Sequence, residues 1–167
     1  NEGKHKTTIE HCLPQAVTSE KERLNYRNMV AVCWGNRDAH SNEDKSCDAK
    51  RGSLKDIQQS MKKINVFDGT TLSDIKYSSD GTIYSNDKDL DEDLNLRLNL
   101  NCEARRLKEC RLQALHALHR SIAQKYFGKT APQSYYQKLM EHYTAQQEMK
   151  TPYSGILIYW LNKHIRQ

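Results

Sequence analysis

The sequence predicts an α+β protein with its strands in the N-terminal part and its helices in a C-terminal lobe. Before Asn101 the apolar residues fall in short, partly β-branched runs separated by turn residues. After it, Leu107, Cys110, Ala114, Leu115, Leu118 and Ile122 recur at the three-to-four spacing of one buried helix face. With 167 residues, 37% of them hydrophobic and 28% charged, the chain is long enough for one ordinary domain or two small lobes.

The elements follow in order. Residues 7–11 read as extended, 17–23 as a charged loop and 29–33 as an apolar second strand, so the first element is a small hairpin. Residues 34–45 carry Gly35, Asn36, Asp38, Ser41 and Asn42, a turn-rich loop with little to bury. Asp48 begins a helix whose first turn holds Lys50 and Arg51, and Gly52 breaks or bends it early. Residues 67–84 read as short strands, with Asp80-Gly81 as the tight turn between two of them. The acidic run over 86–93 is expected to be an exposed connection, because the ligand order and central Gly of an EF-hand are missing. The helix after Asn101 stops at Gly128, Pro132 opens a further helix through Gln147, and Pro152 opens the last, over 153–165. The expected division is 1–66 and 67–167.

The formal net charge of +5 and a pI of about 8.9 favour an anionic partner such as a phosphate backbone. Five unevenly spaced cysteines argue against a complete disulfide framework and fit a reducing compartment. No run of about 18 apolar residues spans a membrane, and the first residues lack a signal-peptide layout, so a cytoplasmic protein is expected. The chain begins with Asn1, as the ordered part of a longer protein would.

Chemistry concentrates in two clusters. The first is Ile9-Glu10-His11 with Pro14, and the second runs from Asn28 through the apolar strand to Cys33 and then Cys47-Asp48-Ala49-Lys50-Arg51-Gly52. A histidine has the pKa to act as a base near neutrality, and Glu10 and Asp48 are hard oxygen ligands suited to Mg²⁺ or Mn²⁺. Adjacent strand residues point to opposite faces, so Glu10 and His11 share a cleft only if the strand distorts near Pro14.

These residues resemble the ββα-metal site of the HNH endonucleases. The resemblance implies His11 as general base, Glu10 and Asp48 as ligands of one divalent ion, and Asn28 as the brace of the hairpin. Close to that ion in sequence, Lys50 and Arg51 are expected to bind phosphate, with a solvated helix surface as the plainer reading. Arg51 stands where the family usually shows Lys, and Asp48 where His or Asn is commoner. Leu98-Asn99-Leu100-Asn101 with Arg105 and Arg111, and Tyr153-Ser154-Gly155-Ile156 leading into Tyr159-Trp160-Leu161, are similar to the C-terminal half of PtuB-type HNH proteins of Septu and retron anti-phage systems. That likeness implies a nuclease core over 1–66, a supporting or docking lobe over 67–167, and cleavage of DNA or of RNA such as transfer RNA. The implied partners are a PtuA-type SMC/ABC-like ATPase and a retron reverse transcriptase with its RNA–DNA hybrid.

Other features have plainer readings beside these. Cys33 and Cys47 are two candidate ligands of a structural zinc, with His40 as a further candidate, but the Cys-x-x-Cys pair of many relatives is not present before the Glu-His strand. Cys12, Cys102 and Cys110 read as small core residues. His116 and His119, three apart on a helix, lack a carboxylate or third His at matching spacing. Tyr153, Ile156, Tyr159 and Trp160 read as core, with partner docking as the alternative. Two other functional classes remain: an inactive adaptor that tethers the ATPase or a nucleic acid, and a structural zinc module.

Overall fold

The computed structural model describes residues 7–15, 18–67, 69–145 and 150–165. The fold is mixed α+β, and the chain forms two compact units, one of Asn1–Ile75 with Ile83–Arg106 and one of Lys76–Thr82 with Leu107–Gln167. Among the described residues no helix is long and apolar enough to cross a membrane.

The first unit starts with a hairpin. Strand β1 (Thr7–His11) pairs antiparallel with β2 (Met29–Cys33), Thr7 opposite Cys33 and His11 opposite Met29. Thr, Ile and Val at these positions suit a pleated, half-buried ribbon. The segment between the strands carries helix α1 (Glu20–Arg23), capped by the Ser19 side chain, and a 3₁₀ turn over Tyr26–Asn28. Residues 16 and 17, the start of the expected charged loop, lie outside the described residues.

After β2 the chain turns through Trp34 to Lys45, as the turn residues imply. Gly35 has φ +63°, and a Cβ there would meet the Ser46 carbonyl oxygen at 2.1 Å, so only glycine allows this approach. Helix α2 (Cys47–Arg51) follows and ends at Gly52. Five residues are too few to be helical alone; the Cys47 amide donates to the Leu98 carbonyl at 2.7 Å, and four of the five side chains are buried.

Two expectations for the middle of the chain need correction. Gly69–Asp74 is 3₁₀ helix, not strand, and Asp68 lies outside the described residues. Its residues lack the alternation that would give a strand a buried face. Strands β3 (Lys76–Tyr77) and β4 (Ile83–Tyr84) do flank the Asp80-Gly81 turn. The acidic run is also not an exposed connection. Asp87 caps helix α3 (Lys88–Glu92), which continues as a π turn over Asp93–Arg97, and Leu90, Asp93, Leu94 and Arg97 are buried. The Asp93 carboxylate accepts the backbone amides of Lys62, Lys63 and Ile64 at 2.7–3.0 Å, and Arg97 Nε donates to the Ser60 carbonyl at 2.8 Å. Its acidity serves to pin a loop, which composition does not reveal.

The second unit is helical. Helix α4 (Leu107–Lys125) ends ahead of Gly128, whose φ of +75° stops it. Pro132 caps α5 (Gln133–Thr144) from outside instead of sitting in its first turn, and α6 spans Ser154–Ile165. α5 stops short of the expected Gln147: Ala145 leaves the helix with ψ 143°, and residues 146 and 147 lie outside those described. Leu118, Ile122, Ala131, Tyr136, Ile156, Leu157 and Leu161 form one apolar core, with Trp160 and Tyr77 packed against it.

Candidate functional site

The site lies in the first unit, where the end of β1 faces α2. Glu10 stands opposite Val30 in the ladder, and its Oε1 accepts from Thr8 Oγ1 at 2.7 Å and from Arg37 Nη2. The same Arg37 nitrogen donates to Asp48 Oδ2 at 3.2 Å. Asp48 Oδ1 accepts from Arg51 Nε at 3.0 Å and Nη2 at 2.6 Å. Arg51 also donates to the carbonyls of His11 and Cys12, so one guanidinium ties α2 to the end of β1.

The two carboxylates therefore converge from different elements on a single cation. Burial first, then the adjoining charge of Glu10, hold the Asp48 carboxyl above its usual range despite the pull of Arg51. Partial burial pulls Glu10 in the same direction, but the bonds from Thr8 and Arg37 outweigh it and its carboxyl lies below the usual value. Two mutually repelling, partly desolvated carboxylates need positive charge between them, and their oxygens suit a hard divalent ion that keeps most of its waters. Among the described residues no three His, Cys, Asp or Glu side chains converge as a self-sufficient metal cage.

His11 ends β1, and it borders the same cavity of about 320 Å³ as Glu10 and Asp48, with Gln59 on the wall. His11 still pairs with Met29 in the ladder, and as the last residue of β1 it shares the rim of this cavity with Glu10. The imidazole Nε2 is 2.8 Å from the Arg23 carbonyl, which can only accept, so Nε2 carries the proton. Nδ1 then accepts from the Gln15 amide at 3.1 Å and is the basic atom.

Asn28 is buried and works on backbone. Its Oδ1 accepts the Leu13 amide at 2.8 Å, and its Nδ2 donates to the Leu13 and Glu22 carbonyls at 3.3 and 3.4 Å. It joins the exit of β1 to α1, one residue from the Arg23 carbonyl that orients His11.

Cys33, at the end of β2, and Cys47, at the start of α2, place their sulfurs 3.0 Å apart, and both are free thiols. The bond from Cys47 leads in lowering the Cys33 thiol to about 6, whereas Cys47 is pushed up by the same contact and by burial. Lys50 is buried and donates to Glu43 Oε1 at 2.8 Å, away from both cavities of the unit, while Arg51 borders both.

Sequence reasoning missed Arg37. It lies in a turn-rich loop, 27 residues from Glu10, and no local pattern marks it. It also missed Thr8, two residues before Glu10 on the same strand face, and the Arg23 carbonyl, a backbone group that no side-chain pattern marks. The Leu98-Asn99-Leu100-Asn101 run holds the entry to α2 in place. The Leu98 carbonyl receives the Cys47 amide, and Asn99 Nδ2 donates to the Glu43 and Lys45 carbonyls, both at 2.8 Å.

Against family models, curated proteins and solved structures the chain finds no match.

Proposed function

We propose that the chain is a metal-dependent endonuclease of the HNH type, its ββα-metal core built from β1, β2 and α2, hydrolysing phosphodiester bonds in nucleic acid. In this reading it is the cytoplasmic effector of an anti-phage complex of the Septu or retron kind, working with a PtuA-type ATPase. The observation that carries the chemistry is the meeting of the Glu10 and Asp48 carboxylates beside His11 in one cavity.

Glu10 and Asp48 would hold one Mg²⁺ or Mn²⁺ ion. When bound, that ion supplies positive charge to the phosphate and to the departing O3′. The work of the protein's own groups is distinct. His11 Nδ1, once the Gln15 amide that it accepts from gives way to the attacking water, takes a proton from that water, and the Arg23 carbonyl fixes the tautomer that leaves this nitrogen basic. Asn28 keeps the loop carrying that carbonyl in register with β1. Arg51 holds α2 against β1 and borders both cavities, where it can steady a phosphate. Lys50, buried and paired with Glu43, is not placed to touch the substrate, so of the two the phosphate role falls to Arg51 alone. Cys33 and Cys47 are proposed as two ligands of a structural zinc that would lock β2 to α2.

One observation favours a second reading. Arg37 already sits between the two carboxylates, as it would in an adaptor that has replaced a metal by a guanidinium. The test is incubation of the chain, alone and with its ATPase, with plasmid DNA and total RNA in Mg²⁺ or EDTA, beside a Mn²⁺ titration. The nuclease reading expects saturable metal binding and cleavage that His11→Ala reduces by about 10²–10⁴-fold with the fold unchanged. No saturable ion site, or full activity in His11→Ala, would sink it.

A further inference from the structure

A second, larger cavity of about 700 Å³ opens in the same unit, and its volume is that of a small-molecule site, roughly 300–1,000 Å³. His11, Asp48 and Arg51 border it as well as the smaller cavity, so the two adjoin at the proposed hydrolytic centre. We propose that this pocket receives an unstacked nucleobase, making the substrate single-stranded nucleic acid or an unpaired loop; the inference rests on the nuclease reading above.

Two observations and the stacking of bases lead there. The walls are largely apolar, built from Leu13, Val30, Val32, Met61, Val66 and Phe67. Phe67 is 62% exposed, an aromatic face left to water at the pocket beside the site where a phosphate would sit. Bases in a duplex hide their faces by stacking, and only a base taken out of the stack can offer one to such a wall.

The polar groups fit the same occupant. Arg27 borders the pocket and its side chain forms no ion pair among the described residues, while Lys63 reaches Asp87 at 3.3 Å in a solvated pair that a phosphate can replace. Asn65 commits its Oδ1 to the Phe67 amide at 3.0 Å, which leaves its Nδ2 to donate to a base edge. The wall is built, not incidental: Asp93 and Arg97 pin residues 60–64 from beneath. An apolar side chain of a partner protein would also suit the walls. The shared border with the hydrolytic cavity and the flanking cations favour the nucleotide.

The experiment is fluorescence anisotropy on the full chain carrying His11→Ala, in Mg²⁺, so that binding is read without cleavage. The probes are a labelled single strand, the duplex of the same sequence and an abasic strand of equal length. The pocket assignment expects the single strand to bind more tightly than the duplex and than the abasic strand. Phe67→Ala should weaken the single strand by about 5- to 100-fold, with Phe67→Trp restoring it. Phe67 is largely exposed, so its substitution leaves the fold standing. Equal binding of duplex and single strand, or of the abasic strand, or indifference to Phe67→Ala, overturns the proposal, and the last two are also what a partner-protein pocket predicts. Failure of the nuclease reading is seen separately, as absence of metal-dependent cleavage by the unsubstituted chain.

Discussion

Leu161 in the second unit and Asp93 in the first are both wholly buried, yet one is an alkyl chain and the other a carboxylate. Leu161 belongs to a core of Leu118, Ile122, Ile156 and Leu157, where burial of apolar area is the driving force. Asp93 is surrounded by backbone amides that it accepts, and its unit also buries Asn28, Asp48, Lys50, Arg51 and Arg97. An apolar core fills space without fixing direction. A hydrogen-bonded polar network costs desolvation but sets donors and acceptors in defined positions, and a site that must place two carboxylates and an imidazole needs that direction.

Breaking each kind of support tests the contrast, and each unit contains a tryptophan to report it: Trp34 in the first, Trp160 in the second. The largest effect is expected from Arg51→Met. It leaves Asp48 Oδ1 and the His11 and Cys12 carbonyls without their donor, with only Arg37 still on the carboxylate, and should cost the first unit about 3–5 kcal/mol. Urea unfolding followed by Trp34 in a Trp160→Phe background checks it, and cleavage should fall with it. An Arg51→Met chain as stable as its parent would show that the network does not support the unit. Next is Leu161→Ala, which leaves a cavity in the helical core and should cost the second unit about 2–5 kcal/mol by Trp160 fluorescence in a Trp34→Phe background. Cleavage per folded molecule should be unchanged; a parallel loss would mean the core also shapes the site.

The smallest effect is a pH dependence. Bonds from Ser78 and from Thr82 hold the exposed Asp80 carboxyl well below its usual range in the folded chain. A depressed folded pKa means stabilisation that is present above the unfolded value of about 3.9 and fades as pH falls through the folded one. Asp80→Asn should therefore melt below the parent at about pH 6, with the gap closing towards about pH 2. A gap that does not change with pH would assign the difference to the turn's backbone.

How much was legible in the sequence follows the same divide. The β1–β2 hairpin, the stop of α2 at Gly52, the Asp80-Gly81 turn and the three C-terminal helices are written in short-range patterns, and the structure has them. Helix α3 was not legible. Its acidic residues look solvated in isolation, and only a loop some 30 residues earlier gives Asp93 its amides. Within the candidate site, Glu10, His11 and Asp48 carry the chemistry in their side chains and could be picked out, whereas Arg37 acquires its place only when the turns after β2 return it to β1.

By itself the sequence determined the periodic elements, because the spacing of apolar residues and the backbone demands of Gly and Pro act over a few residues. The tertiary structure alone decided which charges meet. Pairing Arg37 with Glu10 and Asp48, Arg51 with the His11 carbonyl and Asp93 with the wall of the larger pocket brings together groups far apart in the chain. Such contacts become favourable only once the fold has closed the intervening loops and removed the water that would otherwise satisfy each group alone.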